Sequence, residues 1–226
     1  MSENDTRIEK DYLGEVEVPA DAYYGVQSVR AVRNFPISGV MMNPWMIRAV
    51  GCVKKACALT NAARGRLPKE IAEAVAQAAD EVRELTLQEH FVADAFQSGA
   101  GVSFHMNTNE VIANRAIEIL GGKRGDYEKV HPNDHVNQGQ STNDVFPTTM
   151  RVATLLLLRE AEPKLRAAIG RLREKAKEFA DVPKSGRTHM MDAVPLMLGD
   201  EFGGYADGLD RTLNAAGPSA VHLRYR

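Results

Sequence analysis

The chain has 226 residues, of which 44% are hydrophobic and 26% charged, and a formal net charge of −2. That apolar share excludes an intrinsically disordered chain, and the near-neutral balance excludes the basic footprint of a nucleic-acid binder. The only cysteines, Cys52 and Cys57, are spaced so that they diverge on a helix, which excludes a disulfide or metal pair and fits a reducing, cytoplasmic setting.

The first ten residues are polar and lack the apolar core of a signal peptide. The longest strictly aliphatic run is 155–158, far below the roughly 20 residues that span a bilayer, so no membrane is expected. Residues 1–40 carry no helical period and read as extended or looped chain, punctuated by Val16, Val18, Pro19, Pro36 and Gly39. Asn43-Pro44 then predicts a helix start, with Asn as cap and Pro at the first helical position. Met46, Val50, Val53, Cys57 and Ala58 give 44–64 its helical spacing. Gly65 and Pro68 separate it from a second helix over 69–90, patterned by Ile71, Val75, Ala78, Val82 and Leu85. A break over 97–101 precedes a third helix at 108–120, closed by Gly121-Gly122, and a polar loop then runs to about residue 143.

The longest periodic segment is 144–180, where Leu155, Leu158, Leu165, Ile169, Leu172, Ala176 and Phe179 form a heptad-like seam interrupted by Glu162. It would reach ~55 Å at about 1.5 Å per residue, and Pro163 is expected to bend it. A last helix is expected over 195–214, and no strand pattern longer than a few residues appears. The predicted fold is mainly α: an N-terminal, mostly helical domain over 1–142, then the first part of a long central helical bundle over 143–226. So long a seam needs partners of similar length, and only 195–214 is on offer, so either other chains cover it or this chain is cut short.

Three polar clusters carry the chemistry: 99–109, 131–144 and 186–195. Ser141, Thr142 and Asn143 stand where the long helix begins, and free N–H groups and the positive end of the helix dipole there favour an anion. One of the three suffices as an N-cap, so the run exceeds the structural need. Thr188-His189 is a weaker signal, since a lone loop histidine can bind a carboxylate, take a proton, or simply be solvated. His131 and His135 lack a helical frame and a third ligand, so no metal is expected. Gly99-Ala100-Gly101 follows no strand, which removes a dinucleotide reading.

Together these clusters resemble the aspartase/fumarase superfamily, whose members eliminate a group from a succinyl compound to give fumarate. The likeness runs along essentially the whole chain, through 7–11, 18–27, 106–114, 131–144 and 186–195. Gln140 to Asp144, Asp192 to Pro195 and Tyr23 to Gly25 look more like the aspartase form. The resemblance implies reversible conversion of L-aspartate to fumarate and ammonia by anti-elimination through an enediolate-like carbanion, which fixed donors would stabilise more than the ground state. It further implies that Ser141 and Thr142 bind the β-carboxylate, that Asn143 and Thr188 hold the amino group, and that His189 binds the α-carboxylate and positions the substrate. His131, Asn133 and Asp134 match a second anion site of some fumarases. No cofactor is implied. A homotetramer is, with each active site built from three subunits around a central bundle.

Three positions depart from the family pattern. Val102 stands where a substrate-contacting threonine is usual, with Ser103 beside it as a replacement donor; His105 replaces an asparagine and Gly139 a serine. No Gly-Ser-Ser loop with its serine base occurs in the sequence, so the general base is expected beyond residue 226 and the chain alone is expected to be inactive. The alternatives are a class II fumarate hydratase, separated by water against ammonia addition, and a non-catalytic truncated subunit or pseudoenzyme, separated by the coding sequence after Arg226.

Overall fold

A computed structural model of the protein describes residues 5–224. The chain is mainly α, and it divides into two compact units, Met1–Ala153 and Thr154–Arg226.

The first unit opens with a hairpin, β1 (Thr6–Asp11) against β2 (Gly14–Pro19), antiparallel, with Asp11 opposite Gly14. Of the extended or looped chain expected here, the extended form is found; the pairing is not legible in the sequence because the strands are short and only Glu9, Val16 and Val18 are buried, too few for a pattern to register. Arg7 locks the hairpin by donating to the carbonyls of Pro19, Ala22 and Tyr24 at 2.8–2.9 Å. Helix α1 (Val26–Asn34) is a second element absent from the sequence reading. Its cap comes from far along the chain: the Glu110 carboxylate accepts from the N–H groups of Gly25, Gln27 and Ser28, and Glu9 accepts from Val26 N–H. A helix whose first-turn donors are met by distant acids carries no local start signal.

Helices α2 (Pro44–Ala63) and α3 (Lys69–Arg83) pack as an antiparallel pair beside α4 (Val102–Ile119). The predicted start of α2 is found, with the Asn43 side chain accepting from Trp45 N–H at 2.9 Å. Helix α3 ends at Arg83 rather than near residue 90. Leu85 takes φ 67°, and Leu85 and Thr86 N–H donate back to the Val82 and Glu81 carbonyls, a Schellman closure built on leucine instead of glycine. A separate 3-10 turn, Gln88–His90, follows.

Helix α4 begins at Val102, six positions earlier than the predicted 108, because its first turns are polar yet buried. Ala100 and Gly101, at φ 60° and 77°, make the turn into it, and the Gln97 side chain accepts from Phe104 N–H at 2.6 Å. The buried polar residues of α4 pin loops: Asn107 joins Val92 N–H to the His90 carbonyl, and Asn114 joins Gly125 N–H to the Tyr23 carbonyl. Ile47, Val50, Val75, Val82, Phe104 and Ile112 are among the core residues that these helices share. The segment expected as loop after Gly122 holds a π-helical turn, Pro132–Val136, which His131 caps and which contains His135.

Helix α5 (Thr142–Glu178) continues through Pro163. In the second unit its seam meets α6 (Leu198–Arg224): Ile169, Ala206 and Leu213 are buried with Leu172 against them, and the Phe179 and Phe202 rings stand 5.5 Å apart. Gly199 allows the close approach, since a Cβ there would lie 2.4 Å from the Ala176 carbonyl. Between the helices lies a second unpredicted hairpin, β3 (Pro183–Thr188) with β4 (Met191–Met197). Residues 195–197, expected as helix, therefore close β4. Most of this hairpin is exposed, and backbone pairing rather than burial holds it, so no apolar alternation marks it in the sequence.

Candidate active site

The first turns of α4 and α5 lie side by side. The Phe146 ring occupies the space that a Cβ on Gly101 would need, 2.3 Å away, and packs edge-on to Phe104 at 6.1 Å between centroids. His105 Nδ1 reaches Thr142 Oγ1 at 2.7 Å. Two helix N-termini thus converge, and their N–H groups and dipoles favour an anion. Among the predicted residues here, Ser141 is an N-cap in fact: its Oγ accepts from Asn143 N–H at 3.2 Å, and its carbonyl accepts from Asp144 and Val145 N–H. Asn143 is exposed at this end, and Thr142 is half-buried. Ser103 is buried, with its Oγ 3.1 Å from that of Ser98, while the neighbouring Val102 is exposed.

Behind Thr142 stands a residue that sequence reasoning missed. Lys54 lies in mid-α2 with no exposed surface, its Nζ 2.8 Å from His105 Nε2, 3.1 Å from Asn137 Oδ1 and 2.8 Å from Gln140 Oε1. Burial pulls its ammonium down to about 7, against the opposing pull of the Cys57 thiol. Burial first, then the Lys54 charge, take His105 down to about 3, so its ring is neutral at ordinary pH. A signal for Lys54 does exist in the sequence. It sits four residues after Val50 and four before Ala58, on the apolar face of α2, where a lysine is buried only if partnered.

His131, Asn133 and Asp134 come together at a cavity of about 700 Å³ that Lys10, Gln27 and Tyr127 also line. His131 Nδ1 accepts from the N–H groups of Asn133 and Asp134 at 3.2 and 3.1 Å. That places the ring proton on Nε2, so the 3.2 Å approach of Asp134 Oδ2 to Nδ1 is not a hydrogen bond in the neutral ring.

In the second unit, Thr188 and His189 lie at the β3–β4 turn, both exposed. His189 and Met190 take φ 46° and 63°, the two left-handed residues of a type I′ turn. Neither is the Asn or Gly that such a turn prefers. Among the described residues, no group of three His, Cys, Asp or Glu side chains is placed to hold a metal ion.

A family model described as lyase matches residues 14–217. The chain belongs to the aspartase/fumarase superfamily. Superfamily relatives of two names match it about equally. It is 50% identical to an aspartate ammonia-lyase of Bacillus sp over 209 residues, 92% of this chain and 45% of the relative. It is 51% identical to a class II fumarate hydratase of Halobacterium salinarum over 228 residues, 99% of this chain and 48% of the relative. Among solved structures, fumarate lyase:delta crystallin from Brucella melitensis in native form superposes with a TM-score of 0.91 at 47% identity, covering 97% of this chain and 52% of that one. The class II fumarase of Schistosoma mansoni gives 0.85 at 35% identity, with 97% and 46% covered. The chain spans about half the length of the curated relatives it matches.

Proposed function

We propose that this chain is part of a lyase that converts L-aspartate reversibly to fumarate and ammonia. The observation that carries a dicarboxylate substrate is the Thr142 hydroxyl, set at two converging helix N-termini and held at 2.7 Å by His105. Negative charge builds on the β-carboxylate as the neighbouring carbon loses its proton, and donors fixed before the reaction stabilise it most at the transition state. In this reading Ser141 and Thr142 bind the β-carboxylate. Asn143 and Thr188 hold the amino group, and His189 binds the α-carboxylate. Ser103 is the donor nearest the position that Val102 leaves without one. The resemblance assigns the general base to a serine loop that these 226 residues do not contain, so the 226-residue chain alone is expected to form no fumarate from L-aspartate.

The Gln140 to Asp144 and Asp192 to Pro195 segments support ammonia rather than water as the leaving group. The half-exposed Leu157, Leu165, Tyr205 and Leu209 support a homotetramer in which other subunits cover them. A cytoplasmic setting belongs to this reading and is supported by the two free cysteines. The second reading, a class II fumarate hydratase, draws on the equally strong match to relatives of that name. Assay of the complete gene product with fumarate separates the two: L-aspartate formed from ammonium supports the first, and L-malate formed from water supports the second.

A further inference from the structure

Lys54 has no exposed surface and three acceptors around one nitrogen: His105 Nε2 at 2.8 Å, Asn137 Oδ1 at 3.1 Å and Gln140 Oε1 at 2.8 Å. An ammonium has three protons and no lone pair, so in its charged form all three partners must accept. His105 then accepts at Nε2 and carries its proton on Nδ1. That proton is donated across 2.7 Å to Thr142 Oγ1, which fills the acceptor side of the hydroxyl facing the protein. Among the described residues no second protein group holds this hydroxyl, so the Thr142 O–H points away from His105, towards the joint ends of α4 and α5.

We propose that Lys54 is a positioning residue which, through the tautomer of His105, makes Thr142 a hydrogen-bond donor to a carboxylate. The identity of that carboxylate rests on the lyase reading above; the relay itself does not. When Lys54 loses its proton the order reverses. The amine keeps two protons for Asn137 and Gln140, and its lone pair accepts from His105 Nε2–H. Nδ1 becomes an acceptor, Thr142 turns its proton inwards, and one proton has left the chain of groups for solvent. Thr142 then offers only lone pairs outwards, which repel a carboxylate. The titratable groups facing Lys54 are Cys57 on its own helix and His105 from α4, and the segment before α5 presents the amides of Asn137 and Gln140. With burial placing the Lys54 transition at about 7, the reversal falls near neutral pH, while His105 stays neutral throughout.

The test is nitrogen-15 NMR of the histidine rings in the 226-residue chain, without ligand, from about pH 5.5 to about pH 9. Loss of one ring signal in His105→Asn assigns it. The relay predicts a proton on Nδ1 at the acid end and on Nε2 at the alkaline end, with a midpoint near 7, and no such change in Lys54→Met. A proton on Nε2 at the acid end overturns it, as does one tautomer unchanged across the range. The wild-type spectrum, once His105→Asn has assigned the signal, decides these outcomes whether or not the lysine variant folds. Amination of fumarate by the complete gene product reports on the lyase reading separately. A tautomer change without amination upholds the relay and contradicts the aspartate reading, and amination without the tautomer change overturns the relay alone.

Discussion

Glu110 receives four hydrogen bonds, from the N–H groups of Gly25, Gln27 and Ser28 and from Ser28 Oγ, yet it is pushed up to about 6 because burial outweighs them. The folded state therefore holds this proton more tightly than the unfolded chain between about pH 4.5 and about pH 6. Its contribution to stability is full below that window and falls by about 2 kcal/mol as pH rises through it. Glu110→Gln is expected to destabilise at every pH by about 1–3 kcal/mol, since an amide cannot accept all four bonds, and to lack this slope. Urea unfolding at both ends of the window checks it; a variant that keeps the slope contradicts the assignment. Asp94 has the opposite sign. Burial pushes it up, but the Ser38, Phe96 and Gly39 N–H groups and Ser38 Oγ prevail and hold it at about 2, so its contribution is lost as pH falls towards that value. Individual residues are legible in the sequence where their role is local. Ser141, Thr142 and Asn143 announce a helix start with donors to spare. Lys54, His105 and Glu110 act on partners 37 to 86 positions away, and a linear pattern does not contain those pairings.

Gly101 shows how the site depends on the meeting of two elements. It has φ 77°, and a Cβ there would stand 2.3 Å from the Phe146 ring. Gly101→Ala is expected to cost about 1–2 kcal/mol in backbone conformation and to push α5 away from α4, breaking the His105–Thr142 hydrogen bond. A shift of the His105 Nδ1 resonance on loss of its acceptor reports that break, and an unchanged resonance contradicts the coupling. The β3–β4 turn points the other way. His189 and Met190 hold left-handed backbone without glycine, so Met190→Gly is expected to stabilise the hairpin by about 0.5–1 kcal/mol. Hydrogen exchange at the Thr188 and Met191 amides measures it, and faster exchange in the variant counts against the strain. Among elements, α2 is legible because Asn43-Pro44 is a complete local start. Helix α1 is not, because its cap is Glu110, and the two hairpins are not, because their pairing is backbone to backbone.

The two units differ in what holds them. Met1–Ala153 has a core shared by α2, α3 and α4, whereas among the described residues Thr154–Arg226 buries few side chains between α5 and α6 and leaves Leu157, Tyr205 and Leu209 exposed. Amides of α6 are expected to exchange faster than those of α4 in the 226-residue chain, a difference that proteolysis or hydrogen exchange reads directly. Equal protection would mean that α5 and α6 need no further partners. The mainly α fold and the long seam are legible at this scale, because heptad spacing survives in sequence whatever covers it. The ordering of donors behind Thr142 is legible only in three dimensions. What adds to fumarate in the complete gene product separates ammonia-lyase from hydratase most directly. With fumarate and ammonium, L-aspartate is the predicted product, and its yield should fall when Thr142 is replaced by valine. L-malate alone, or L-aspartate undiminished in that variant, would contradict the proposed reading.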